Sequence, residues 1–200
     1  MYASTRQLGF KCRDNGERLN EQRRTCNGQR RTHNGQEEVI TVLARAATRD
    51  DAPVIARIYN EGIEDGIATF ETRLRTPDDV REWFERRFPV VVVENGSGEV
   101  IAFASTSEYR PRECYDGVAE FSVYVARSAR HAGAGRLAME QLMENARNAG
   151  FWKLVSRVFV ENAASRALLK QVGFREVGIY ERHGKLRDTW RDTVIVERLL

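Results

Sequence analysis

The sequence predicts a mixed α/β fold: a central, mostly antiparallel sheet with helices on both faces. Three observations carry this. In "PVVVVENGSGEVIAFAS" two apolar, β-branched runs flank "NGSG", a hairpin signal that makes neighbouring strands antiparallel. Between about 120 and 160 a strand, an amphipathic helix and a second strand follow one another, which implies one parallel pair. The full order, β-α-α-β-β-β-α-β-α-β-β, supplies enough helices to cover both faces of one sheet.

Taken along the chain, residues 1–38 come first and fit no element. They are rich in Asn, Gln, Arg and Gly, with Leu8, Phe10 and Leu19 isolated. Such a segment cannot bury enough apolar area to offset its ordering entropy, so we expect a disordered basic leader. It is either an appendage without function, translated upstream sequence, or an Arg-rich tail for nucleic acid or transit machinery. One domain is expected over 39–200. "VITVLARAA" (39–47) reads as its first strand. "RDDAPVIARIYNEGIED" is a helix with Val54, Ile55, Ile58, Tyr59 and Ile63 on one face and Asp50 or Asp51 as cap. "TPDDVREWFERRF" is a second helix over 76–88. Thr76 caps it, Pro77 opens it, Asp79 reaches back, and Val80, Trp83, Phe84 and Phe88 form its apolar face. After the hairpin, "VAEFSVYVA" is a strand. "GRLAMEQLMENARNAG" is an amphipathic helix ended by Gly150, and "WKLVSRVFVEN" a strand. "NAASRALLKQVG" is a helix capped by Asn162 and ended by Gly173. "FREVGIYERHG" and "TWRDTVIVERLL" close the chain as strands.

Charge and cysteine usage narrow the function. The net charge is +3. Residues 1–40 hold eight Lys/Arg and five Asp/Glu, so the excess lies in the leader and the body is neutral. A neutral body argues against a nucleic-acid binder or a basic membrane-surface protein. No apolar run is long enough for a membrane span, and the opening residues lack a secretory apolar core. Cys12, Cys26 and Cys114 show no CxxC spacing, so neither a zinc site nor a disulfide framework is expected. Reduced thiols in a cytoplasm fit best.

The chemistry concentrates in "SVYVARSARHAGAG" (122–135), a strand that turns through glycine into a helix. Free N–H groups at a helix start, with the positive end of its dipole, attract anions, and glycine lets a phosphate come close. Arg130 and Arg136 add charge. The turn lacks the G-K-S/T of a Walker loop and the third glycine of the dinucleotide fingerprint.

R-x-x-G-x-G after a V-x-V strand resembles the pyrophosphate signature of the GNAT superfamily of acetyl-CoA-dependent N-acyltransferases. Asn162 with "AASRALLKQVGFREVG" resembles that family's second stretch, where an Asn and its helix meet the pantetheine arm. Within the superfamily, "SEYRPRECYDGVAEFSVYV", "TFE" (69–71), "TPDDVREW" and "TWRDTVIVERLL" are similar to the phosphinothricin and methionine sulfoximine N-acetyltransferases. "ERHGKL…WRD" is similar to the arsinothricin-resistance branch.

The resemblance implies the GNAT fold over about 40–200, acetyl-CoA as acetyl donor and no metal. It implies a small amine as acceptor, a homodimer, and a role in detoxification or antibiotic resistance. Val123, Tyr124 and Val125 would hold the pantetheine. Arg130, His131, Ala132, Gly133, Ala134, Gly135 and Arg136 would cradle the pyrophosphate, with Asn162 and Ser165 on the pantetheine side. Tyr124 can equally face the core. Glu120 is the candidate general base, because a carboxylate in the apolar run "VAEFSVYV" is expected to be partly desolvated. The alternative is a strand residue facing solvent or paired with an arginine. Arg112 and Tyr115, just before this strand, are candidates to bind the acceptor; Arg112 as a carboxylate clamp competes with a surface salt bridge. Phe70 either walls the acceptor pocket or packs in the core. Leu169 stands where the phosphinothricin enzymes carry a His, and His183 is the nearest replacement in sequence. Two other functions compete: a protein N-acetyltransferase of the same fold, and a basic-tailed nucleic-acid module.

Overall fold

This computed structural model describes residues 24–33 and 36–200, with side chains from Val42 onward. Strands β1 (Arg24–His33) and β2 (Gln36–Ala46) are followed by helices α1 (Ala52–Asp65) and α2 (Pro77–Arg81). Then come β3 (Val90–Glu94), β4 (Val100–Glu108) and β5 (Val118–Val125). Helix α3 (Ala134–Asn148), β6 (Lys153–Phe159), α4 (Ala163–Gln171), β7 (Arg175–Leu186) and β8 (Thr189–Leu199) complete the chain. The strands lie in the order β1-β2-β3-β4-β5-β6-β8-β7. Every neighbouring pair is antiparallel except β5–β6, which is parallel. The expected mixed sheet and its one crossover through α3 are both present.

Two apolar clusters cover the two faces. On one, α3 and α4 bury Leu137, Met139, Leu142 and Leu169 against Val91, Val93, Ala104, Phe121 and Leu154. On the other, Ile55, Ile58 and Val80 meet Val92, Phe103 and Tyr124. The alternation of strand side chains sets this division. Along β5, Ala119 and Phe121 belong to the first cluster and Tyr124 to the second.

Two expectations are corrected. The helix predicted over 76–88 stops at Arg81 and tightens into a 3-10 turn over Glu82–Glu85. Its cap is as expected: the Asp79 amide donates to Thr76 Oγ1 at 3.2 Å and the Thr76 amide to Asp79 Oδ2 at 2.7 Å. The four apolar residues do not share a face, however. Val80, Trp83 and Phe84 pack on the α1 side, whereas Phe88 stacks on Phe151 at 5.5 Å and belongs to the α3 side. The chain must leave the helix to deliver Phe88 there.

The second concerns the leader. Residues 1–23, 34 and 35 of the expected disordered segment lie outside the described residues. Residues 24–33, however, form β1, antiparallel to β2, which begins at Gln36 rather than 39. Main-chain pairing onto an open strand edge asks for no apolar side chains, so composition gives no sign of it.

Candidate active site

The parallel pair β5–β6 is short. Val118, Ala119 and Glu120 pair with Lys153, Leu154 and Val155, and the pairing ends there. β5 stays with β4 as far as Val125, and β6 stays with β8 as far as Phe159. The two strands therefore diverge, and a cleft of about 620 Å³ opens between them. Aromatic packing fixes the walls. Tyr124 stacks on Phe103 (5.3 Å) and meets Tyr59 edge-on (4.7 Å), while Phe159 meets Phe70 edge-on (4.7 Å). The cleft passes through the sheet. Val158 and Leu169 line it from the α3–α4 side, and Glu120, Tyr124 and Arg157 from the other.

Glu120 lies at the apex, in the last paired position of β5–β6 and opposite Ser107 of β4. Its carboxylate is half-buried and ion-paired with Arg157, whose Nη2 donates to Glu120 Oε1, so the expected partial burial and the alternative of an arginine partner are found together. The alternation of the run buries its apolar neighbours toward α3 and turns Glu120 the other way, into the cleft. Tyr124 is buried in the core, one of the two alternatives for it, but its ring also lines the cleft. Burial, together with hydrogen bonding to Tyr59, pushes its phenol well above the usual tyrosine range, so it stays protonated near neutral pH.

The glycine turn leads out of the cleft. His131 (φ 65°) and Gly133 (φ 83°) take the left-handed backbone that swings the chain into α3. A Cβ on Gly135 would lie 3.1 Å from Leu168 Cδ2 and 3.2 Å from Val125 Cγ2, so glycine lets α3 seat closely without displacing those side chains. The first amides of this 15-residue helix have no acceptor within it.

Arg127 and Arg130 are turned toward α1 instead. Arg130 donates to Asp65 Oδ2 (2.6 Å), and Arg127 binds Asp65 and Glu64 of α1 while its amide meets Glu61 Oε2 (2.7 Å). Arg136 pairs with Glu140 at 2.8 Å. Burial raises the Asp65 carboxyl, but the hydrogen bonds from Arg130 and Arg127 outweigh it and hold it below the usual range. In this arrangement Arg127 and Arg130 pin the turn to α1, and an anion at the start of α3 would be met by main-chain N–H groups.

Of the other expected residues, Asn162 and Ser165 line the cleft. Asn162 caps α4 through its Oδ1 to the Ser165 amide (3.1 Å), and its Nδ2 donates to the Ile67 carbonyl (3.0 Å). That bridge ties the loop carrying Phe70 to α4. Phe70 walls the cleft and packs at the same time: a Cβ on Gly184 would come within 2.9 Å of its ring. His183, brought in by the β7–β8 hairpin, also lines it. Val125, Ala132, Ala134 and the rest of the turn do not line the cleft. Neither do Arg112 and Tyr115: Arg112 is exposed, and Tyr115 packs on Tyr109 at 5.5 Å. Sequence reading missed Arg157, Tyr59 and Ser122. For Ser122 the signal was there, because period-two alternation places it on the face of Glu120. Among the described residues no group of three or more His, Cys, Asp or Glu could hold a metal, and no helix is long and apolar enough to cross a membrane.

Comparison with known proteins agrees with this geometry. Residues 55–174 match the acetyltransferase (GNAT) family. An L-methionine sulfoximine/L-methionine sulfone acetyltransferase from Pseudomonas aeruginosa is 32% identical over 154 residues, covering 74% of this chain and 88% of the relative. Among solved structures, a ribosomal-protein-alanine N-acetyltransferase from Brucella melitensis is 35% identical with a TM-score of 0.74, covering 78% of this chain and 99% of the neighbour. A phosphinothricin acetyltransferase from Sinorhizobium meliloti, solved in complex with acetyl-CoA, is 28% identical with a TM-score of 0.74, covering 80% and 88%.

Proposed function

The chain belongs to the GNAT family and is an acetyl-CoA-dependent N-acetyltransferase, and from that premise we propose that it acetylates the α-amine of a small amino-acid-like molecule. Phosphinothricin, methionine sulfoximine and arsinothricin define the class, and detoxification in the cytoplasm is the role. One observation carries the reading: the divergence of β5 from β6 sets a carboxylate, Glu120, at the apex of a cleft that passes from one face of the sheet to the other.

The residues fit the donor. Gly135 brings α3 close, the helix start presents unpaired amides, and β5 beyond Glu120 has no ladder partner on its β6 side. The turn from Arg130 to Arg136 would take the pyrophosphate through those amides. Val123 to Val125 would hold the pantetheine by main-chain bonds, and Asn162 and Ser165 would flank it. In the transfer one C–N bond forms and one C–S bond breaks. Glu120, directly or through a water, takes the proton shed by the amine, which finally reaches the departing sulfur. The amide of Val123 or of a neighbour would steady charge on the carbonyl oxygen. Tyr124, held protonated, and Phe70 shape the acceptor side. Arg112 and Tyr115 remain acceptor-side candidates on the loop before β5.

A homodimer is supported by the outer hairpin, where Val177, Ile179, Tyr180 and Trp190 are each about half exposed. The likeness to the Brucella structure keeps a protein terminus as a second acceptor class. An acceptor panel separates the two. We expect thiol release from acetyl-CoA with L-methionine sulfone or phosphinothricin, and none with peptides beginning in alanine. Turnover of the peptides alone would overturn the reading.

A further inference from the structure

The Glu120–Arg157 pair deepens the reading above and rests on it. Among the described residues lining the cleft, Arg157 supplies the only guanidinium; His183 is the other basic group there. Its position follows from the sheet. Glu120 and Val155 are register partners in the parallel pair, and Arg157 stands two residues beyond Val155 on the same face. It sits where β5 and β6 have already parted, so the ion pair bridges the opening. Its side chain is 46% exposed and that of Glu120 24%, so both charges can be reached from the cleft. Glu71, the other carboxylate in the lining, is occupied by Arg75 at 2.7 Å.

We infer that Arg157 binds the acceptor's α-carboxylate, and that the acceptor enters by exchanging partners with the Glu120–Arg157 pair. The ammonium of a zwitterion takes the place of the guanidinium at Glu120, and its carboxylate takes the place of Glu120 at Arg157. One carbon separates the two groups of an α-amino acid, so the two side chains need part only by the length of that headgroup, and the Arg157 side chain, 46% exposed, is the one free to swing aside. Charge is conserved: a neutral pair receives a neutral headgroup, and no ion is left without a partner. An amine lacking the carboxylate breaks the pair and leaves Arg157 uncompensated in a half-enclosed cleft, which selects against it. The exchange also delivers the nitrogen to the carboxylate proposed as its base. Arg112 lies outside the lining and cannot make this exchange in the arrangement seen.

The test compares kcat/KM for L-methionine sulfone and for its carboxamide, with parent protein, Arg157→Gln and Arg157→Lys. Each variant serves as its own folding control, because the readout is a ratio of two acceptors. The parent should prefer the acid. Arg157→Gln should erase about 10- to 100-fold of that preference through a raised KM for the acid, the scale of a lost charge-assisted bond, and Arg157→Lys should restore part of it. A parent that acetylates both acceptors without preference, or an Arg157→Gln variant that keeps the parent's ratio, overturns the inference and leaves the proposed function standing. A parent that acetylates neither, nor any other α-amino acid, sinks the proposed function and this inference with it.

Discussion

Glu120 shows what a single strand position can reveal and what it cannot. Its isolation in an apolar run singles it out by sequence alone, and alternation along β5 explains why it enters the cleft. Its partner was invisible, because Arg157 meets it only through a parallel register that the sequence does not specify. Arg130 shows the opposite failure. Its place in the signature suggests a phosphate ligand, yet it spends its charge on Asp65, a residue 65 positions away. Gly135 was legible as a glycine but not for its main constraint, the side chains of Leu168 and Val125 on either side. A branched residue there must push both apart. We expect Gly135→Val to lower stability by about 1–3 kcal/mol, the usual cost of overpacking, and to raise the KM for acetyl-CoA as α3 shifts. Denaturant melts and initial rates would check this.

At the scale of elements, strands β2 to β8, three of the four helices and the β5–α3 turn were readable from periodicity and caps. The second helix was overextended because its apolar residues serve two different clusters, and periodicity alone cannot say which residues share a core. The tether between the turn and α1 is likewise tertiary. Arg127 and Arg130 converge on Asp65, whose carboxyl is held below the ordinary value of about 4. A group depressed in the folded state stabilises above its unfolded value and loses that contribution as pH falls through the folded one. Stability from this cluster should therefore be complete above about pH 5 and decline below about pH 4. Because the pairs are partly exposed, the effect is modest and weakens with salt. Thermal melts of the parent and Asp65→Asn between about pH 3 and 6 should show a shallower acid decline in the variant. Equal slopes would remove the tether from the account.

Over the whole molecule, one short parallel pair inside an otherwise antiparallel sheet creates the site. Antiparallel neighbours on both outer sides hold β5 and β6, so the two can separate without loosening the sheet. The sequence announced the crossover, the glycine turn that follows β5 and Asn162 in the cleft wall. It could not announce that pairing stops at Glu120, since no residue type encodes where two strands part. Nor could it show β1, which extends the sheet at the β2 edge. The account stands on the cleft, and on Glu120 as the base within it. The most direct test is thiol release from acetyl-CoA with L-methionine sulfone at neutral pH, comparing the parent with Glu120→Gln. The account predicts turnover by the parent and a fall in kcat of about 10²- to 10⁴-fold in the variant. A variant as fast as the parent would contradict it.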